Sequence, residues 1–169
     1  MKNVILIGMP GTGKSTVGVI LAKRLGYDFI DQDIVIALRE GRQLSEIIDQ
    51  DGIDRFLEIE GKVGESIECE STVIATGGSA VFSDNAMKHF KENGVCIWLE
   101  TPISVLEERL INGSREERGV AAPADMTLAD IYALREPLYT KYADIRIVCD
   151  CDADGVARKI KDALKGHNL

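Results

Sequence analysis

The sequence has no stretch approaching the ~18 consecutive apolar residues that cross a bilayer as a helix, which excludes a helical membrane span. It lacks any C-x-x-C pair. Its four cysteines are Cys69, Cys96, Cys149 and Cys151, and the last two, close together at a strand end, read as reduced thiols and not as a zinc site. Positive charge is also short: 20 lysines and arginines stand against 28 acids, and a net charge of −8 argues against nucleic acid as a partner. No internal repeat, low-complexity tract or linker interrupts the chain. No basic leader with a cleavage site precedes the first apolar run, so the cytoplasm is the expected compartment. What remains is 169 residues, 45% hydrophobic, enough for one domain (1–169) with a proper core.

One stretch organises the rest. Gly8-Met9-Pro10-Gly11-Thr12-Gly13-Lys14-Ser15 fits G-x-x-x-x-G-K-[ST], with Thr16 following. Val4, Ile5, Leu6 and Ile7 ahead of it read as a buried strand; Val17, Ile20, Leu21 and Leu25 behind it recur at helical spacing until Gly26. A glycine-rich turn between strand and helix aims successive backbone N–H groups and the positive helix end at one point. Lys14 would reach the β- and γ-phosphates, and the Ser15 hydroxyl would help hold Mg²⁺. The stretch is read as a nucleoside-triphosphate site. In so acidic a chain any such site must be built from local cations and backbone N–H groups, against the overall field.

Apolar runs predict further strands at residues 27–30, 72–76, 95–99 and 144–149. Helices are predicted near 34–38, 44–48, 56–63, 83–92, 101–111, 127–142 and 156–164. Ser83 is a candidate cap, and Thr127 with Asp130 resembles a capping box. The alternation implies an α/β fold, a three-layer αβα sandwich around a five-stranded parallel sheet. Residues 112–125 lose periodicity and carry Gly113, Gly119 and Pro123, so this segment is the expected mobile lid. In such folds ligand groups gather at the carboxyl ends of the strands. The phosphate loop, Asp31 with Asp33, and Gly77-Gly78 should therefore converge.

Two readings attach to Asp31 and Asp33. As strand-end acids they would cap the following helix; beside a phosphate site, one would hold Mg²⁺ and the other accept a proton from an attacking hydroxyl. Gly77-Gly78 is either a tight turn or a place where substrate approaches the backbone. Arg115 and Arg118 in the lid are either solvated or poised to close on the transferring phosphoryl group. Arg135 is either in a surface ion pair with Glu136 or Asp130, or a ligand group.

Together these residues resemble the shikimate kinases, small P-loop phosphotransferases of the nucleoside-monophosphate-kinase fold. The likeness runs through Phe29-Ile-Asp-Gln-Asp33, Gly41-x-x-Leu-x-Glu-Ile-Ile48, Gly52-x-x-x-Phe56 with Glu60, Ile74-Ala-Thr-Gly-Gly78, Val95-x-x-Trp98-Leu99, and Arg135-Glu-Pro-Leu-Tyr139 with Tyr142-Ala-Asp144. The resemblance implies ATP as co-substrate, Mg²⁺ on Ser15 and Asp31, and a small hydroxylated carboxylate, shikimate, as acceptor. By the same resemblance Asp33 would face the acceptor hydroxyl, Gly77 and Gly78 would line the acceptor pocket, and Arg135 would take the carboxylate. Gly11, Thr12, Gly13, Lys14, Ser15 and Thr16 would bind the nucleotide. Arg118 would be the lid arginine, and Arg109 is a weaker match to the arginine that stacks on adenine.

The chain departs from the family pattern at several positions. The motif F-R-x-x-E reads Phe56-Leu57-Glu58-Ile59-Glu60, so the clamp arginine is Leu57; the third glycine of G-G-G is Ser79; and the lid reads Arg118-Gly-Val-Ala121, with Arg115 as rival. Leucine cannot replace a bidentate guanidinium. Two alternatives therefore stand beside shikimate phosphorylation: the same chemistry on another small hydroxylated acceptor, and a nucleotide-binding protein without catalysis. A monomer is expected.

Overall fold

A computed structural model describes residues 2–111 and 120–167, the side chains of Leu110 and Ile111 excepted. The elements run β1 (Asn3–Ile7), α1 (Lys14–Leu25), β2 (Asp28–Asp31), α2 (Gln32–Glu40), α3 (Leu44–Asp51), α4 (Ile53–Glu65) and β3 (Thr72–Ala75). A 3₁₀ turn (Ala80–Phe82) precedes α5 (Asp84–Asn93), β4 (Gly94–Glu100), α6 (Ile103–Ile111), α7 (Leu128–Tyr142), β5 (Ile145–Val148) and α8 (Ala153–Leu164). The five strands form one sheet in the order β2-β3-β1-β4-β5, every pairing parallel. This is the αβα arrangement that the alternation implies.

β1 lies at the centre, and all five of its residues are buried. Successive side chains of a strand point to opposite faces, so this one strand serves two cores. Val4 and Leu6 pack with Val17 and Leu21 of α1 and Val156 and Ile160 of α8. Ile5 and Ile7 pack on the other face with Ile59 and Val63 of α4, Phe90 of α5 and Tyr139 of α7. Full burial of such a side chain contributes roughly 1.5–3 kcal/mol, which is why a continuous apolar run suits a covered parallel strand.

Local signals set most boundaries. The Ser83 hydroxyl accepts from Ala86 N at 3.2 Å, and Thr127 with Asp130 forms the capping box that opens α7. Helix α8 starts at Ala153 rather than at the first apolar residue, because Asp152 accepts from Gly155 N at 2.8 Å and caps an extra turn. Helix α4 begins at Ile53, directly after Gly52 (φ 85°), three residues ahead of the expected start at residue 56. The 3₁₀ turn is too short to leave a periodic trace.

β4 starts one residue early as well, at Gly94, which pairs with Asn3. A Cβ there would stand 2.2 Å from Ile5 Cδ1 and 2.7 Å from the Asn3 carbonyl oxygen. Gly94→Ala should therefore lower unfolding stability by about 1–3 kcal/mol, the usual cost of overpacking. A urea midpoint equal to the parent's would show instead that β1 and β4 separate freely.

Candidate active site

The phosphate loop leaves β1 under tight steric constraint. Gly8 has φ +149°, and a Cβ on it would come within 2.6 Å of the Leu99 carbonyl oxygen, so the loop presses against β4 as only glycine allows. Gly13 (φ 94°) turns the chain into α1, whose first residue is Lys14. Lys14 is 8% exposed, and its ammonium donates to the carbonyls of Gly8 (2.8 Å) and Met9 (2.9 Å). Burial lowers its pKa to about 8, with the positive charge of Arg135 adding to the effect; Asp33, Asp31 and Glu60 oppose it. An anion brought to this ammonium would raise its pKa again and hold its charge more firmly. The Thr12 hydroxyl beside it is buried and has no hydrogen-bond partner among the described residues. Arg109, at the end of α6, donates from Nη1 to the carbonyls of Gly11 (2.8 Å) and Thr12 (3.3 Å), so it grips the loop itself.

The capping reading holds for Asp31, which also meets Ser15 of the phosphate loop. Its Oδ1 accepts from Asp33 N at 3.0 Å, capping α2, while its Oδ2 accepts from the Ser15 hydroxyl at 2.5 Å. Asp33 follows in the first turn, where its Oδ1 is shut from water without a partner among the described residues. Burial raises its pKa to about 6, the Asp31 charge raises it further, and Lys14 opposes both. A third acid stands behind this pair. Glu60 of α4 is 1% exposed, and its Oε2 accepts from the Ser79 hydroxyl at 2.5 Å. Burial drives its pKa up to about 7 and Asp33 adds to the shift, against the Ser79 hydrogen bond and the charges of Arg135 and Lys14.

Gln32 ties these parts together. Fully buried, it donates from Nε2 to the Glu60 carbonyl at 2.9 Å and accepts on Oε1 from Gly77 N at 3.2 Å. A Cβ on Gly77 would lie 1.9 Å from Glu60 Oε1 and 3.1 Å from Asp33 Oδ1. Glycine at 77 is thus what lets two carboxyl groups approach the turn.

Arg135 is not in a surface ion pair. It is 2% exposed, donates from Nη2 to the Ala121 carbonyl at 3.0 Å, and lies 5.6 Å from the centre of the Phe82 ring. Asp130 is engaged in its capping box instead. One turn further along α7, the Tyr139 hydroxyl donates to the Gly78 carbonyl at 2.7 Å. Leu57 is half-buried against the core. Arg55 and Lys62 both bind Glu58, at 2.8 and 2.6 Å, on the solvent side of α4, so neither takes the place of a cation at 57.

Gly11, Gly13, Lys14, Ser15, Thr16, Asp33, Gly78 and Arg135 line one cleft of about 330 Å³, as their expected convergence requires. Thr12, Asp31, Gly77 and Arg109 adjoin it through the contacts above. Arg115, Arg118 and the 112–119 part of the expected lid lie outside the described residues. Phe56, Glu60 and Ser79, noted in the sequence only as pattern positions, also line the cleft, as do Pro10, Thr76 and Ala121. Glu60 carried a readable signal: it shares the apolar stripe of Phe56, Ile59 and Val63, and an acid on a buried face needs a reason.

A parallel sheet with a glycine-rich phosphate loop at the end of its central strand, facing paired acids across a cleft, defines a P-loop phosphotransferase. The sequence model of the family Shikimate kinase matches residues 10–165. The chain is 39% identical over 142 residues to the shikimate kinase of Thermodesulfovibrio yellowstonii, covering 83% of this chain and 82% of that one. It is also 34% identical over 169 residues to threonine synthase-like 1 of Homo sapiens, covering 98% of this chain but only 23% of that protein. Among solved structures, a shikimate kinase from Acinetobacter baumannii in complex with shikimate matches with a TM-score of 0.88 and 28% identity, covering 100% of this chain and 96% of that one. The chain belongs to the shikimate kinase family, and it is an ATP-dependent kinase.

Lys14→Met removes the cation on which the loop closes. Phosphoryl transfer should fall by about 10²–10³ or more, while circular dichroism and the melting transition stay close to the parent's. Turnover within about tenfold of the parent would remove Lys14 from the phosphate site.

Proposed function

We propose that this enzyme transfers the γ-phosphoryl group of ATP to a hydroxyl of shikimate, giving shikimate 3-phosphate and ADP. The observation that carries the reading is Asp33 Oδ1: a buried acceptor without a partner among the described residues, on the wall of the cleft that also holds Lys14. Such an atom calls for a donor, and the hydroxyl of an incoming acceptor supplies one. The acceptor oxygen forms a bond to the γ-phosphorus, the bond to the β–γ bridging oxygen breaks, and the hydroxyl proton passes to Asp33. Lys14 and the N–H groups of residues 11–16 bear the negative charge of the phosphates. Arg135 faces the acceptor carboxylate, with Gly77, Gly78 and helices α2–α4 framing the ring.

The residues present fit Mg²⁺. Ser15 and Asp31 supply hard oxygen donors in contact with each other at 2.5 Å. No cluster of three or more His, Cys, Asp or Glu side chains able to hold a metal occurs among the described residues. That suits an ion held by one or two protein oxygens plus substrate phosphates. When bound there by Ser15 and Asp31, the ion would supply positive charge against the negative charge of the phosphates. No described helix is long and apolar enough to cross a membrane. We place the enzyme in the cytoplasm as a monomer, since one copy carries every group named here.

Two measurements test the reading. Asp33→Asn should cut kcat by roughly 10²–10⁴ and leave ATP affinity nearly unchanged, because the side chain serves the other substrate. The acid limb of kcat/KM for shikimate should fall near pH 6, where the raised Asp33 carboxyl protonates, activity being present above that pH and lost below it. A limb in the ordinary carboxylate range, or an Asn variant with parental kcat, would move the base elsewhere.

A further inference from the structure

The acceptor pocket contains more acid than its neighbours can neutralise. Glu60 faces Lys14 from α1, Asp33 from α2, Arg135 from α7 and the Ser79 hydroxyl from the glycine turn. On its own helix, Arg55 and Lys62 both pair with Glu58 at the surface. Lys14 is committed to phosphate. Arg135 is then the guanidinium available to a carboxylate, and the protein already brings one carboxyl of its own into that space.

Position 57 precedes Glu60 by three residues, so the two share a helix face. Leu57 lines the apolar hollow that opens beside the cleft, and Arg135 lines both spaces. A cation at 57 would thus stand near both Arg135 and Glu60, giving two cations for two carboxylates. With leucine there, one guanidinium among the described residues, that of Arg135, confronts both. Ser79, where the family has glycine, supplies a hydroxyl that holds Glu60 without neutralising it.

We propose that Glu60, held by Ser79, is the residue that sets the charge of the acceptor this pocket takes: the carboxylated acceptor binds when Glu60 carries a proton and is repelled when it does not. Glu60 is a positioning and specificity residue here, not the base. The proposal rests on the acceptor assignment above. Its pKa of about 7 puts the change within the neutral range. The sign follows from linkage: an anion bound beside Glu60 favours the protonated form, so affinity falls as pH rises and binding takes up a proton.

The test is KM for shikimate at saturating Mg-ATP between about pH 6 and about pH 8.5, where the parent's value should rise about tenfold or more. Glu60→Gln, the isostere of the protonated acid, should hold KM low and level over the same range. Ser79→Ala removes a hydrogen bond that favours the ionised carboxyl, so the rise should move to higher pH. Leu57→Arg supplies the second cation and should flatten the rise. Calorimetry at about pH 8 in buffers of different ionisation enthalpy should show proton uptake on shikimate binding in the parent and none in Glu60→Gln. A level profile in the parent, an unchanged rise in Glu60→Gln, or an unmoved midpoint in Ser79→Ala would overturn the proposal while leaving the acceptor assignment intact. Absence of shikimate turnover at every pH in every variant would overturn the assignment, and this inference with it.

Discussion

The Lys14 ammonium, buried against two carbonyl oxygens of its own loop, is the interaction around which this enzyme is arranged. A charge enclosed by protein interacts with its neighbours far more strongly than one in water: two unit charges ~4 Å apart are worth about 4 kcal/mol at an effective dielectric constant near 20. Each group near Lys14 is therefore under constraint. The loop must bend through Gly8 to aim its carbonyls, β2 must deliver Asp31 and Asp33, and α4 must bring Glu60 behind them. The cost of taking these charges out of water is offset in part by their mutual attraction, and an anionic substrate adds to that attraction. That is the form in which this fold stores its selectivity for anions.

The same logic explains how a chain of net charge −8 can handle polyanions. At the periphery, cations meet carboxylates: Arg24 with Asp154, Lys91 with Asp144, Arg146 with Glu100. Pairs of this kind, screened by water, contribute little to stability and cancel one another's field. In the cleft, Lys14 and Arg135 donate to carbonyl oxygens instead, at Gly8, Met9 and Ala121. A carbonyl fixes a cation without cancelling its charge, and the buried acids beside them, Asp33 and Glu60, are what offset it. Placement, not abundance, makes the anion site.

Much of this was legible before any coordinates. The phosphate loop is a local signal, since a glycine-rich turn, a lysine and a hydroxyl at fixed spacing have one geometric solution. The parallel sheet follows from alternating periodicities, and the convergence of strand ends follows from the sheet. Glu60 was harder to see. A motif named it, yet its burial, its raised pKa and its bond to Ser79 arise from three segments meeting, which no single window contains. Gln32 is similar: adjacent to two expected site acids, it reads as a linker residue until its amide is seen spanning α4 and the Gly77 turn. Arg135 illustrates the reverse case. Its sequence neighbours offered plausible surface partners, but the turn of α7 carries it inward, where side-chain burial and not proximity along the chain decides its contacts.

The chain contains one tryptophan, and its position has a use unrelated to chemistry. Trp98 of β4 stacks on Tyr139 with ring centroids 5.8 Å apart and 25° between planes, and the Arg146 guanidinium lies 5.0 Å from the indole's centre. Tyr139 is one helical turn from Arg135 and hydrogen-bonds the Gly78 carbonyl in the wall of the cleft. Any shift of the glycine turn would reach the indole through this ring. The single indole thus lies one ring away from the wall of the cleft, which makes its emission the natural place to look for a label-free signal of occupancy.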